Sequence, residues 1–146
     1  MDTAWQEIGF YFESKTGEAG KDIEHRKMRI KKSLLLEDAR KWAQDFIRAK
    51  PELKATQIRR FYHDVKALEA KIEASGFEKN LPLIKMLKSK VAYACPKYGS
   101  RKVPIVFKEF MDKCIDGIEE QKDFEAFTLV FEAVVGYFYG EGGRTT

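Results

Sequence analysis

From residue 34 onward, apolar residues recur at three- and four-residue spacing, the period of a helix with one buried face. Five helices are expected. The first runs from about Leu34 to Ala49, with Leu35, Ala39, Trp42 and Phe46 on one face, Ala43 beside them, and Pro51 as its stop. The second runs from about Gln57 to Ala74 with Thr56 as N-cap, a stripe of Ile58, Phe61, Val65, Leu68 and Ile72, and a Ser75-Gly76 close. The third runs from about Leu81 to Ala94, with Pro82 in its first turn and Leu83, Ile84, Leu87, Val91 and Ala94 sharing a face. The fourth, about Pro104 to Glu120, buries Phe107, Phe110, Met111, Cys114 and Ile118 and turns Glu109, Asp112, Asp116, Glu119 and Glu120 outward. The fifth starts at Asp123 as N-cap and ends near Tyr139, on a stripe of Phe127, Phe131, Val134, Val135 and Phe138.

That last helix is apolar around most of its girth. Leu129, Val130, Ala133 and Tyr137 widen the stripe, and only a narrow strip with Glu125 and Glu132 stays polar. Such a helix is either central in the core or half covered by a partner. Leu129, Val130, Ala133 and Tyr137 are therefore the candidate subunit contacts. No segment alternates apolar and polar residues as a half-buried strand would. The fold class is all-α, a compact bundle of about five helices joined by short loops. The expected organisation is an N-terminal arm over 1–33, a helical bundle domain over 34–140, and a flexible tail over 141–146. The arm holds an apolar cluster (Trp5, Ile8, Phe10, Tyr11, Phe12), a linker from Glu13 to Asp22, and a basic run from Arg26 to Lys32.

The 146 residues suit one domain, and 11 phenylalanines give it material for a core. The two cysteines, Cys95 and Cys114, fit no disulfide or metal spacing and read as reduced thiols of a cytoplasmic protein. The Trp5–Phe12 stretch is too short and interrupted for a signal peptide, and no apolar run approaches a membrane span.

Charge sharpens the picture. Residues 1–20 hold one basic and four acidic side chains, for −3; residues 21–54 hold eleven and six, for +5. Residues 55–102 hold eleven and four, for +7; residues 103–146 hold four and nine, for −5. A basic middle next to an acidic C-terminal part suggests one face for a polyanion and another for protein neighbours or solvent.

Catalytic chemistry is missing. Only His25 and His63 are present, and the His63-Asp64 pair lacks the further histidines that a helical metal-dependent phosphohydrolase needs. The Gly140–Gly143 run follows no strand and opens no helix, so it is no phosphate loop. No enzyme activity, metal or cofactor is expected.

Cations are well placed for another task. Helix two carries Arg59, Arg60, Lys66 and Lys71 away from its apolar stripe. Helix three carries Lys85, Lys88 and Lys90, and Lys97, Arg101 and Lys102 follow it. Residues 79–102 hold seven basic groups and no acid. Such a surface neutralises successive phosphates and releases counterions, which gives salt-sensitive, sequence-tolerant binding. Tyr62, Tyr93 and Tyr98 lie near these positions, as core-edge rings or as platforms for bases.

Two motifs carry a family resemblance. Thr56-Gln57-Ile58-Arg59-Arg60-Phe61-Tyr62-His63-Asp64-Val65 is followed by the run from Leu81-Pro82-Leu83 to Tyr93-Ala94. The Phe107-Lys108-Glu109-Phe110 helix and the Asp123–Tyr137 helix extend the match. Over about residues 55–139 the chain resembles the small subunit of type III-A CRISPR (Csm) effector complexes. The resemblance implies a non-catalytic helical protein in antiviral defence. It would stack head to tail as an inner filament beside the complex's backbone and large subunits, and contact the phosphates of the guide RNA–target RNA duplex. Carried onto this sequence, Arg59, Arg60, Lys66, Lys85, Lys88, Lys90 and Lys97 are the RNA-binding candidates, and neighbouring copies of the chain are partners. A helical adaptor whose basic face meets an acidic protein is the alternative.

Overall fold

A computed structural model describes residues 32–143. The apolar cluster, the linker and the basic run as far as Lys31 lie outside the described residues, as do residues 144–146 of the expected tail; Lys32, the last of the basic run, is the first residue described. Seven helical segments follow: α1 (Lys32–Leu35), α2 (Glu37–Arg48), α3 (Ala55–Ser75), α4 (Phe77–Lys85), α5 (Leu87–Ala94), α6 (Ile105–Asp116) and α7 (Gln121–Gly140). One-residue breaks at Leu36 and Met86 divide α1 from α2 and α4 from α5, so the segments form five helices in space, and no strand occurs among the described residues.

α7 is the centre of the bundle. It lies against α1, α2 and α3, while α6 packs on α2, α4 and α5, and α4 folds back on α3. The excess apolar girth of α7 is thus spent largely inside the chain. Phe124, Phe127, Val130, Phe131, Val134 and Phe138 are all buried on it. Phe131 joins the helices: its ring stacks on Phe127 at 5.7 Å and meets Tyr62 at 6.1 Å, Phe110 at 6.3 Å and Phe107 at 6.5 Å. The stripes expected on α2, α3 and α6 face this same core.

Three helix starts differ from the sequence reading, each for a local reason. α3 begins two residues early, with Lys54 as N-cap; Gln57 Oε1 accepts from Lys54 N at 2.8 Å, and Thr56 sits in the first turn. α7 is capped from Glu120, and Asp123 serves as the reciprocal partner, its Oδ2 accepting from Glu119 N and Glu120 N at 2.9 Å each. α4 starts at Phe77 and so places Pro82 inside the helix. Two buried side chains hold this early turn. Phe77 enters the core, and Asn80 Nδ2 donates to Gly76 O (2.7 Å), Ser75 Oγ (2.9 Å) and Lys71 O (3.2 Å), closing the end of α3. Gly76, at φ 98°, makes the reversal between α3 and α4 that a side chain would strain.

Ile84 and Leu87 are buried as expected, but Leu83 is 40% exposed. α6 stops at Asp116, ahead of Gly117, yet Ile118 still reaches the core. After α7, Gly143 N donates to Phe138 O at 2.8 Å, and the Phe138 ring lies where a side chain at Gly143 would go. Arg40 Nε (2.8 Å) and Gln44 Nε2 (3.2 Å) tie Glu141 to α2.

Candidate nucleic-acid interface

Helical spacing builds a groove between α3 and α5. Thr56, Gln57, Arg60, Phe61 and Asp64 share one face of α3; Ser89, Lys90, Tyr93 and Ala94 share one face of α5. Lys102 and Val103, from the loop after α5, complete the lining of a cavity of about 660 Å³. The loop is fixed at both sides. Lys102 N and Val103 N donate to Ala94 O at 2.8 and 3.2 Å, and Gln57 Nε2 donates to Lys102 O at 2.6 Å.

Three cations face one carboxylate here: Arg60, Lys90 and Lys102 against Asp64. The Lys90–Asp64 contact is 3.5 Å, well beyond the 2.7–2.9 Å or so of a strong charge-assisted bond, so it neutralises the groove weakly. The Lys102 ammonium sits 5.9 Å from the centroid of the Tyr93 ring. The groove therefore keeps an excess of positive charge over an apolar floor of Phe61, Ala94 and Val103.

Of the seven cations expected from the sequence, Arg60 and Lys90 line this groove. Lys97 is exposed in the loop beyond α5, where its carbonyl accepts from Arg101 Nη2 at 3.3 Å. Arg59 lies on the other flank of α3, its Nε donating to the Tyr139 hydroxyl at 3.2 Å. Lys66 pairs with Glu69 at 2.8 Å, and this hydrogen bond raises its pKa above the ordinary lysine value.

Lys85 and Lys88 turn toward α6. Lys85 Nζ donates to Ile115 O at 2.7 Å, which places a positive charge at the negative end of that helix. Lys88 Nζ meets Asp116 Oδ1 at 2.7 Å, and that hydrogen bond raises its pKa. The basic and acidic halves of the sequence thus partly neutralise each other within the fold. Lys102 and Tyr93 complete the groove but stand outside the set taken from the sequence. Their signal was present in the basic loop and the tyrosine beside it, but only the Gln57–Lys102 and Ala94 bonds bring them together.

The candidate subunit contacts separate in the same way. Val130 is wholly buried in the chain's own core and offers no surface, which corrects the sequence reading. Leu129 is 50% exposed, and Ala133 and Tyr137 are half-buried. Cys95 and Cys114 are both free and buried. His63 is exposed, and among the described residues no cluster of three His, Cys, Asp or Glu side chains is arranged to hold a metal. No helix among the described residues is long and apolar enough to cross a membrane.

A family model described as Csm2 Type III-A matches residues 29–143. No curated protein and no solved structure matches the chain.

Proposed function

The chain belongs to the Csm2 Type III-A family, the small subunit of the type III-A CRISPR (Csm) complex, and from that premise we propose that it grips the phosphate backbone of the guide RNA–target RNA duplex. The convergence of Arg60, Lys90 and Lys102 around one groove, with Lys97 in the adjoining loop, carries this proposal. Arg59, on the neighbouring flank of α3, extends the positive surface and retains donors beyond its bond to Tyr139. Ammonium and guanidinium groups at helical spacing meet successive phosphates without reading bases, so binding follows salt and tolerates sequence. Lys85 and Lys88 support the surface by holding α4 and α5, respectively, to α6.

In the proposed assembly, copies of the chain stack as an inner filament beside the backbone and large subunits. Leu129, with the partly covered Ala133 and Tyr137, presents apolar surface to such a neighbour. The chain acts as a scaffold, without chemistry of its own. Each weak patch gains from its neighbours through effective concentration.

The test is the triple variant Arg60→Ala, Lys90→Ala and Lys102→Ala, incorporated in the reconstituted complex. RNA affinity should fall, and the salt slope should become shallower by about 0.7–0.9 for each phosphate that is no longer neutralised. Unchanged affinity and slope, with the complex intact, would remove the groove from the RNA interface and favour an acidic protein as the partner of this face.

A further inference from the structure

The α3–α5 groove has more than cations. Its volume of about 660 Å³ falls in the range of small-molecule sites, about 300–1,000 Å³. A row of phosphates needs a charged surface, not a concavity with an apolar floor. Phe61, Ala94 and Val103 supply that floor, and Tyr93 forms one side.

The three tyrosines that accompany the basic positions have separate fates. Tyr62 is half-buried, its ring against Phe131 at 6.1 Å. Tyr98 is 85% exposed in the loop outside the groove. Tyr93 is 81% exposed and lines the groove, with the Lys102 ammonium at 5.9 Å, near the outer limit of about 6 Å for a cation–π contact. Its ring is thus available at the mouth of a cavity that carries three cations.

We infer that this groove takes one unpaired nucleotide of a single-stranded RNA segment. Its base lies against Tyr93 over the apolar floor, and its phosphate is held by Arg60, Lys90 and Lys102. Asp64 and Gln57, at the α3 side, supply polar atoms for the base edge. A base paired within a duplex is already stacked on both faces, so the site selects a nucleotide outside the paired stretch. The inference deepens the proposed RNA contact and rests on it.

The experiment uses the full chain at low salt with two single-stranded probes of equal length and charge: oligoadenylate and an abasic sugar–phosphate strand. Both carry the same phosphates, so the fall of either affinity with salt reports the backbone grip, and the affinity of the abasic strand reports it alone. The ratio of the two affinities reports the base. Stacking on one aromatic ring predicts about tenfold or more in favour of oligoadenylate. Tyr93→Ala should collapse that ratio toward one, and Tyr93→Phe should keep it. Tyr98→Ala, equally exposed but outside the groove, should also keep it. A ratio near one in the wild-type chain, or a ratio that survives Tyr93→Ala, overturns the nucleotide site while salt-dependent binding of both probes leaves the backbone proposal standing. Absence of salt-dependent binding to either strand overturns the nucleotide site, whereas the backbone proposal falls only if the assembled complex also shows no salt-dependent RNA binding.

Discussion

Lys85→Met separates structural from RNA-facing cations. The substitution keeps an unbranched apolar stem and removes only the ammonium. In the fold that ammonium donates to Ile115 O at 2.7 Å, at the C-terminal end of α6. A hydrogen bond from a charged donor contributes about 1.5–3 kcal/mol, and a cation at a helix C-terminus about 0.3–1 kcal/mol when exposed. Two features lower the sum. Lys85 is only half-buried, and Ile115 O keeps a second donor, Ile118 N at 3.1 Å, so the carbonyl is not orphaned. The expected loss is about 1 kcal/mol, just below the charged-bond range. For a domain of this size that lowers Tm by about 3–4 °C. Lys88→Ala should cost less, about 0.2–1 kcal/mol, because its bridge to Asp116 joins side chains that are 41% and 58% exposed. Thermal denaturation reads the stability, and RNA affinity against salt concentration reads the other possible role. An unchanged Tm with a salt slope shallower by about 0.7–0.9, the share of one phosphate, would refute the assignment of Lys85 to α6.

Other consequences are equally direct. Phe131→Ala removes a fully buried ring that touches four others and should cost about 3–5 kcal/mol, seen as a large fall in the denaturant midpoint; a change below about 1 kcal/mol would mean that α7 is not the centre of the core. Both thiols should resist labelling until the chain unfolds, since Cys95 and Cys114 are buried and burial pushes the Cys114 thiol well above its ordinary pKa; rapid labelling of Cys114 in the native chain would contradict that burial. Hydrogen bonds from Gln44 and then Arg40 hold the Glu141 carboxyl below its usual range. Its contribution is therefore present above the unfolded-state pKa and lost as pH falls through the lower folded value. A carboxyl titration by NMR should show that depression, and either Gln44→Ala or Arg40→Ala should raise the value; no movement in either variant would remove the tether.

Most of the helical framework was legible because its stripes are long. The α3 stripe from Ile58 to Ile72 and the α6 and α7 stripes specify both helix and buried face. The errors lie where tertiary contacts outweigh local signals. Pro82 reads as a first-turn residue until Phe77 and the three bonds of Asn80 extend α4 backward. Val130 reads as spare apolar surface on a helix viewed alone, but α7 is covered on several sides. Half of the groove was legible, since Arg60 and Lys90 fall at helical spacing on basic faces. Lys102 and Tyr93 required the loop bonds to Ala94 and Gln57, and the turn of Lys85 toward Ile115 required knowing that α4 packs on α6.

The most direct measurement of the central claim is RNA affinity against salt concentration, for the purified chain and for the chain assembled with the other subunits of its complex. The account predicts weak binding by the chain alone and a steep negative slope in the assembly, across RNAs of unrelated sequence. No RNA bound and no salt dependence in either state would contradict it and leave the basic face to a protein partner.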